Sequence, residues 1–383
     1  MERKKILGMS ILLLASCAPQ QPSNQFTLNG SIEGVDGQYV YLNYASNDST
    51  QINDSTLVNN GTFEFKGTLD KPCVQGLLYM GNFNDRQNKQ YCRIFLEPKP
   101  ITIAIDSKNF SEPKIQGSFA QAQEDSLNAA IKAIEEEAAE LYKALETETD
   151  NKKVAEIQEQ LETYQDRMSK ARIEFVKSHP NSFVASYYMH FLMGKMAYNE
   201  IKEIYDNFSP EIKKYGDVED IEKELATLAK VQPGAPAPEI RKEDVNGDTV
   251  SISSLKGKVV LLDFWASWCV PCRKSFPHVK ELYKKYHDKG FEVFCVSDND
   301  STPDQWKEAI QKDGLEKFYH VLRGLRSYKD ENGRHQFDRS KDVSEQYAIH
   351  YLPTKYLIDR DGKIIGKFND EELDIKLKEI FGE

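Results

Sequence analysis

Cys269 and Cys272, two residues apart in Trp268-Cys269-Val270-Pro271-Cys272, are the side chains of this sequence best placed to do chemistry. They follow Val259-Val260-Leu261-Leu262-Asp263-Phe264-Trp265-Ala266, an apolar run that reads as a central strand, and they open a segment that reads as a helix from Cys269 to His287. A cysteine at a helix N-terminus meets unpaired N–H groups and the positive end of the helix dipole, and both favour an anion. The thiolate is the nucleophile of disulfide exchange, so this spacing at a strand-to-helix turn describes a redox dithiol. Arg273 and Lys274 add positive charge in the first turn, and Pro277 is expected to bend the helix. The competing reading is half of a zinc site, which would want a second close pair of Cys or His. Cys73, Cys92 and Cys295 are scattered, and His278 lies on the same helix without an obvious fourth ligand, so neither a metal nor a cofactor is expected.

The elements that must hold this pair begin after Gln232-Pro233-Gly234-Ala235-Pro236-Ala237-Pro238, which reads as a linker or boundary. Asn246-Gly247-Asp248 is a hairpin turn, Phe291–Ser297 a second buried strand, and Pro303–Lys312 a helix with proline in its first turn. Tyr356–Asp359 turns at Asp361-Gly362 into a hairpin partner, Lys363–Phe368, and Glu371–Phe381 closes as a helix. A β-α-β unit followed by a β-hairpin and a helix predicts an α/β domain of thioredoxin type over 232–383.

Ahead of it, residues 26–118 read as all-β. Phe26–Ile32, Tyr39–Leu42, Thr62–Phe65, Ile94–Leu96 and Ile101–Ile105 alternate or run apolar between turn signals, which predicts a small antiparallel sandwich. Its repeated themes resemble an uncharacterised β-domain found before thioredoxin modules in Gram-negative lipoproteins. Cys73 and Cys92 could form an inter-strand disulfide or remain two buried thiols; sequence leaves both open. Residues 119–231 read as helical. Ile131, Ile134, Ala138, Leu141 and Leu145, then Val154, Ile157, Leu161, Tyr164 and Met168, step by three and four across a polar break, predicting a helical hairpin. Ser182 is placed to cap a following helix whose Tyr187, Tyr188, Phe191 and Leu192 are expected in a core or inter-domain contact, with His190 packed among them.

The start of the chain bears on compartment. Glu2-Arg3-Lys4-Lys5 before apolar Ile6–Leu14 describes an export signal over 1–16, too short to span a bilayer. Leu14-Ala15-Ser16-Cys17 resembles the lipobox of bacterial lipoproteins, which implies that Cys17 becomes the lipid-bearing first residue, followed by a polar tether over 17–25. No acidic residue stands near Cys17, which favours an anchor facing the periplasm, with the outer membrane preferred to the inner. An oxidising periplasm permits disulfides and makes a reductive thiol site dependent on an outside electron supply. The formal charge of −11 argues against non-specific nucleic-acid binding.

Residues 232–383 resemble the thioredoxin superfamily, and within it the TlpA/ResA-like thiol–disulfide oxidoreductases. The resemblance rests on the Gly-x-x-Ala-Pro opening, Leu255-Lys256-Gly257-Lys258, Asp263 through Cys269, Tyr351-Leu352-Pro353-Thr354 and Ile358-Asp359-Arg360-Asp361-Gly362-Lys363. It implies that Cys269 attacks, that Cys272 resolves the mixed disulfide, and that the two form the redox-active disulfide. It also implies that Pro353 is the cis-proline facing them, and that Trp268, Val270, Pro271, Leu352 and Pro353 meet an extended substrate segment by backbone pairing. Asp263 interrupts the apolar strand; desolvation should raise its pKa into range to take the Cys272 proton, the role assigned to the matching aspartate in thioredoxins. A structural aspartate bonded to backbone is the plainer alternative.

Two departures stand out. Where ResA-like enzymes carry a glutamate three residues after the second cysteine, this chain has Ser275, and where thioredoxin has a lysine on the next strand, it has Cys295. Polar residues 323–342 read as a partner-selecting loop or a solvated insertion. The functional expectation is an envelope-anchored oxidoreductase reducing protein disulfides, supplied by a membrane electron donor in analogy with the family. The alternatives are a thiol peroxidase, for which no Pro-x-x-x-Thr/Ser-x-x-Cys setting precedes Cys269, and a non-catalytic binding or scaffold lipoprotein.

Overall fold

The computed structural model describes residues 24–46, 50–82, 88, 90–331 and 333–382; residues 1–16, read as an export signal, and Cys17 lie outside the described residues. The chain forms two compact units, Met1–Ala171 and Arg172–Glu383.

Among the described residues of the first unit, alternation of apolar and polar residues builds eight strands: β1 (Gln25–Glu33), β2 (Tyr39–Ala45), β3 (Gln51–Leu57), β4 (Thr62–Thr68), β5 (Val74–Met80), β6 (Tyr91–Leu96), β7 (Pro100–Asp106) and β8 (Asn109–Gln116). They form two four-stranded sheets, ordered β4-β1-β7-β8 and β3-β2-β5-β6. The inward residues of both sheets, among them Leu28, Leu42, Phe65, Leu78, Ile94 and Ile103, share one core, so the domain is a sandwich. It is not wholly antiparallel as expected: β1 and β7 run parallel, the chain between them building β4 at this sheet's edge and the four strands of the other sheet before it returns in the same direction. Cys73 and Cys92 are buried and not disulfide-bonded; burial pushes the Cys92 thiol up to about 12, so it packs as a small apolar side chain.

Helix α1 (Phe119–Glu137) starts at Ser118, whose hydroxyl accepts from the Gln121 N–H, and breaks at Ala138 into α2 (Ala139–Thr147). Helix α3 (Asn151–Ser178) returns after the polar break, and Arg167 grips Glu137 with two hydrogen bonds of 2.6 and 2.9 Å. Leu127, Ile131, Ala138, Leu161 and Met168 are buried.

The second unit begins with the end of α3 and the helices α4 (Phe183–Leu192), α5 (Tyr198–Asn207), α6 (Pro210–Tyr215) and α7 (Glu219–Leu228). Ser182 caps α4, accepting from Ala185 N–H. The packing expected on α4 is only half present. Val184, Ala185, Met189 and Leu192 turn inward, while Phe191 is exposed and His190 lies at the surface, 3.1 Å from Asp220. The inward stripe of α4 is set by the i, i+4 spacing of its aliphatic residues, which puts the aromatics on its flank.

A short hairpin, β9 (Arg241–Glu243) and β10 (Thr249–Ser251), leads into β11 (Val259–Trp265), α8 (Val270–Tyr286), β12 (Phe291–Ser297), α9 (Pro303–Asp313) and β13 (Tyr319–Leu322). There follow the hairpin of β14 (Arg326–Lys329) and β15 (His335–Asp338), α10 (Val343–Gln346), β16 (Thr354–Ile358), β17 (Ile364–Lys367) and α11 (Asp370–Phe381). The sheet order is β13-β12-β11-β16-β17, with β11, β12 and β13 parallel and β16 and β17 antiparallel, which is the thioredoxin arrangement. Being central, β11 buries both faces. Val259, Leu261 and Trp265 pack with Phe276 and Val279 of α8 and Leu373 and Leu377 of α11; Val260, Leu262 and Phe264 pack with Ile240, Val343 and Tyr347 on the other side. The proline-rich segment read as a linker is tied to the sheet edge, with Gly234 N–H donating to Ile364 O, Ile364 N–H to Ala235 O and Ala237 N–H to Gly362 O.

All three tryptophans lie in the second unit, so indole fluorescence follows its unfolding alone. Leu261 has no exposed surface; Leu261→Ala is expected to cost about 2–5 kcal/mol, read as an earlier urea midpoint in tryptophan fluorescence.

Candidate active site

Cys269 is the N-cap of α8. Its sulfur accepts the Cys272 N–H at 3.2 Å, and Pro271 in the first turn needs no such partner. Cys269 and Cys272 are joined by a disulfide, with their Cα atoms 5.3 Å apart. Both cysteines are nearly covered, whereas their neighbours Trp268 and Val270 are each about 60% exposed. The pair therefore sits at the rim of the domain beneath an apolar surface. Leu352, from the loop before β16, packs against the same core cluster as the cysteines, and the Leu352–Pro353 peptide bond is cis. Thr354 Oγ1 closes that turn by donating to Tyr351 O at 2.8 Å. Trp268, Tyr351, Leu352 and Arg323 line a cleft of about 130 Å³.

Three supports of this loop escape sequence reasoning. Asn299, fully buried after β12, accepts from the Ser267 N–H at 2.8 Å and donates to Ser267 Oγ at 2.7 Å and Thr302 Oγ1 at 2.8 Å. It thereby fixes the backbone two residues before Cys269. Arg273 donates two hydrogen bonds of 2.7 Å to the Asp313 carboxylate, so its charge is spent tying α8 to the end of α9. Arg323 donates at 2.9 and 2.6 Å to buried Asp342 and lies 3.1 Å from Asp298, closing the base of the β14–β15 hairpin. The polar segment 323–342 is thus a folded hairpin clamped at its root, with Tyr328 and Phe337 exposed.

Behind the disulfide, Asp263 shares the β11 face of Leu261 and Trp265, the face packed on α8. It is 2% exposed, and its Oδ1 has no hydrogen-bond partner. Burial is the largest influence on it and raises its pKa to about 6; Lys355 pulls it down and Asp370 pushes it up. The lysine missing from the next strand has a counterpart on the opposite neighbour: Cys295 lies beside Asp263 on β12, and Lys355 lies beside it on β16. Cys295 is fully buried, and burial beside Asp263 keeps it a thiol. Lys355 is 4% exposed, with Nζ 3.1 Å from Asp370 Oδ1, and Ser275 Oγ donates to the same oxygen at 3.0 Å. Ser275 is thus bonded to a carboxylate contributed by α11. His320, against Trp265, is neutral near pH 7, since burial lowers its pKa to about 4. His278 on α8 faces Asp374, 3.1 Å away.

A thioredoxin fold carrying a cysteine pair at the first turn of α8 defines a thiol-exchange domain, and comparison with known proteins agrees. Residues 232–380 match the family described as Redoxin, and residues 26–123 match a domain of unknown function (DUF4369). The thiol-disulfide oxidoreductase ResA of Bacillus thuringiensis is 36% identical over 160 residues, spanning 41% of this chain and 83% of the relative. The ResA of Bacillus subtilis is 33% identical over 141 residues, spanning 37% and 69%. The thioredoxin domain of a thiol-disulfide oxidoreductase from Bacteroides vulgatus is 33% identical with a TM-score of 0.33, covering 39% of this chain and 98% of that one. The chain belongs to the ResA-like thiol–disulfide oxidoreductases of the thioredoxin superfamily.

The buried carboxylate makes stability depend on pH. The folded pKa of about 6 exceeds the ordinary 3.8, so the folded state binds the proton more tightly, and stability falls as pH rises from about 4 to 6. Asp263→Asn is expected to gain about 2 kcal/mol at pH 8 relative to its effect at pH 4. Urea unfolding of the oxidised protein at the two pH values measures that difference.

Proposed function

We propose that the chain is a lipid-anchored oxidoreductase of the cell envelope, facing the periplasm, that reduces disulfides in proteins by a dithiol/disulfide cycle at Cys269 and Cys272. One observation carries this reading: the disulfide caps α8 at the domain rim, with Asp263 on the strand face behind it. The reduced enzyme opens the cycle. Cys269, favoured as a thiolate by the helix end, attacks one sulfur of the substrate disulfide; a Cys269–substrate bond forms, the substrate S–S bond breaks, and the released thiolate takes a proton from solvent. Asp263, ionised above pH 6, takes the Cys272 proton. The Cys272 thiolate then attacks Cys269 Sγ, forming the enzyme disulfide and expelling the second substrate thiolate, which is protonated in turn. Two electrons and two protons reach the substrate, and an external dithiol donor must return them.

Trp268, Val270, Pro271, Leu352 and Pro353 supply an apolar lip suited to an extended substrate segment. With no charged side chain among them, they suit recognition through backbone and apolar contact. The lipobox at Cys17 supports the anchor and the export signal supports the compartment.

Cys269→Ser is expected to abolish reduction of a protein disulfide, and Cys272→Ser to retain attack and accumulate a mixed disulfide that names the substrate. A Cys272→Ser protein that traps nothing while purified enzyme consumes peroxide would replace this reading with a peroxidase. Titration against glutathione sets direction: a reductase poises well below about −200 mV, and a potential near −120 mV would make it an oxidant. Cys17→Ala is expected to shift the protein from the membrane fraction to the soluble fraction and to remove labelling by radioactive palmitate.

A further inference from the structure

Ser275 stands one helical turn after Cys272, on the same face of α8. Its hydroxyl holds Asp370 Oδ1, the first residue of α11, and the same oxygen receives the buried Lys355 ammonium. Lys355 is directly opposite Asp263 across the β11–β16 pair. A line of polar groups therefore runs through an otherwise apolar core, from half-exposed Asp370 to Lys355 and Asp263, and Ser275 ties it to the helix carrying the resolving cysteine. Beside it on the other neighbouring strand is Cys295 of β12, and the cysteine pair stands at the start of α8, the helix packed on the same sheet face.

We infer that Lys355 and Asp370 are a positioning pair for the resolving step: Asp370, held by Ser275, fixes the Lys355 ammonium, and that ammonium sets the ionisation of Asp263. The inference deepens the proposed mechanism and rests on Asp263 as the base for Cys272. Its physical basis is that a lone carboxylate in a dry core stays protonated, whereas one facing a fixed cation ionises where a base is needed. Asp370 acts in two ways, as the anchor of the lysine and as a second anion that limits the lysine's pull; Asp370→Asn keeps an oxygen to accept from the ammonium and removes only the charge. The coulombic directions at Asp263, lowered by Lys355 and raised by Asp370, agree with that geometry.

The two members therefore shift Asp263 in opposite directions, which a merely structural role would not do. In the full chain in detergent, reduced and labelled with ¹³C-aspartate, the Asp263 carboxyl signal is assigned by its loss in Asp263→Asn. Lys355→Met is expected to move its titration up by about one pH unit or more, Asp370→Asn to move it down, and Lys355→Arg to leave it near its original position. The pH midpoint for release of a substrate from a preformed Cys269 mixed disulfide is expected to follow in the same directions. Shifts of one sign in Lys355→Met and Asp370→Asn, or no shift in either, would overturn the inference; if Lys355→Met does not fold, an Asp370→Asn titration that stays in place or moves up, or a Lys355→Arg titration displaced upward, overturns it. Should Asp263→Asn leave the pH dependence of release intact, the assignment of Asp263 as base fails, while the carboxyl titrations continue to test the pair.

Discussion

A carboxylate inside a sheet core is the constraint around which this domain is arranged. Asp263 sits on the central strand, both faces of which are sealed, and burying an isolated charge there would cost more than a domain's usual margin of stability. The sheet order answers part of that cost. By placing β16 antiparallel beside β11, the fold sets a lysine opposite the aspartate, and by bringing α11 across the same face it supplies the counter-charge for the lysine. The arrangement leaves Asp263 poised between its protonated and ionised forms, the condition under which a group exchanges protons near neutral pH.

The reactive loop is held in place for reasons separate from its chemistry. Asn299, Arg273 and Arg323 each make paired polar contacts that tie the cysteine loop or its neighbourhood to β12, α9 and α10, so the sulfur pair is held by side chains well apart along the chain. Because these contacts are buried or half-buried, competition from water is small, and they position the loop more firmly than surface pairs would.

The cysteine pair, the central strand, the closing hairpin and the last helix are legible in the sequence because each rests on a local pattern: spacing, apolar run, turn residues or helical periodicity. What escaped are partnerships between residues distant in the chain. Nothing local says that Ser275 meets Asp370, 95 positions on, or that Arg273 meets Asp313. The lysine opposite Asp263 comes from the antiparallel neighbour and not from the following strand, a pairing no local pattern carries. Strand β13 is short and borders a polar insertion, so alternation over four residues gave too little signal. The parallel β1–β7 pair was hidden because strand direction depends on the path of the intervening chain. On α4, aromatic composition suggested burial, yet the helical phase turned Phe191 and His190 outward.

The clamp of Arg323 on Asp342 has a consequence for how the molecule tolerates change. The hairpin between them pairs with itself and not with the five-stranded sheet, so a change at its tip removes no hydrogen bond of that sheet. A foreign recognition peptide grafted at that tip would stand on the root that Arg323 forms, beside the cleft the same side chain helps to line.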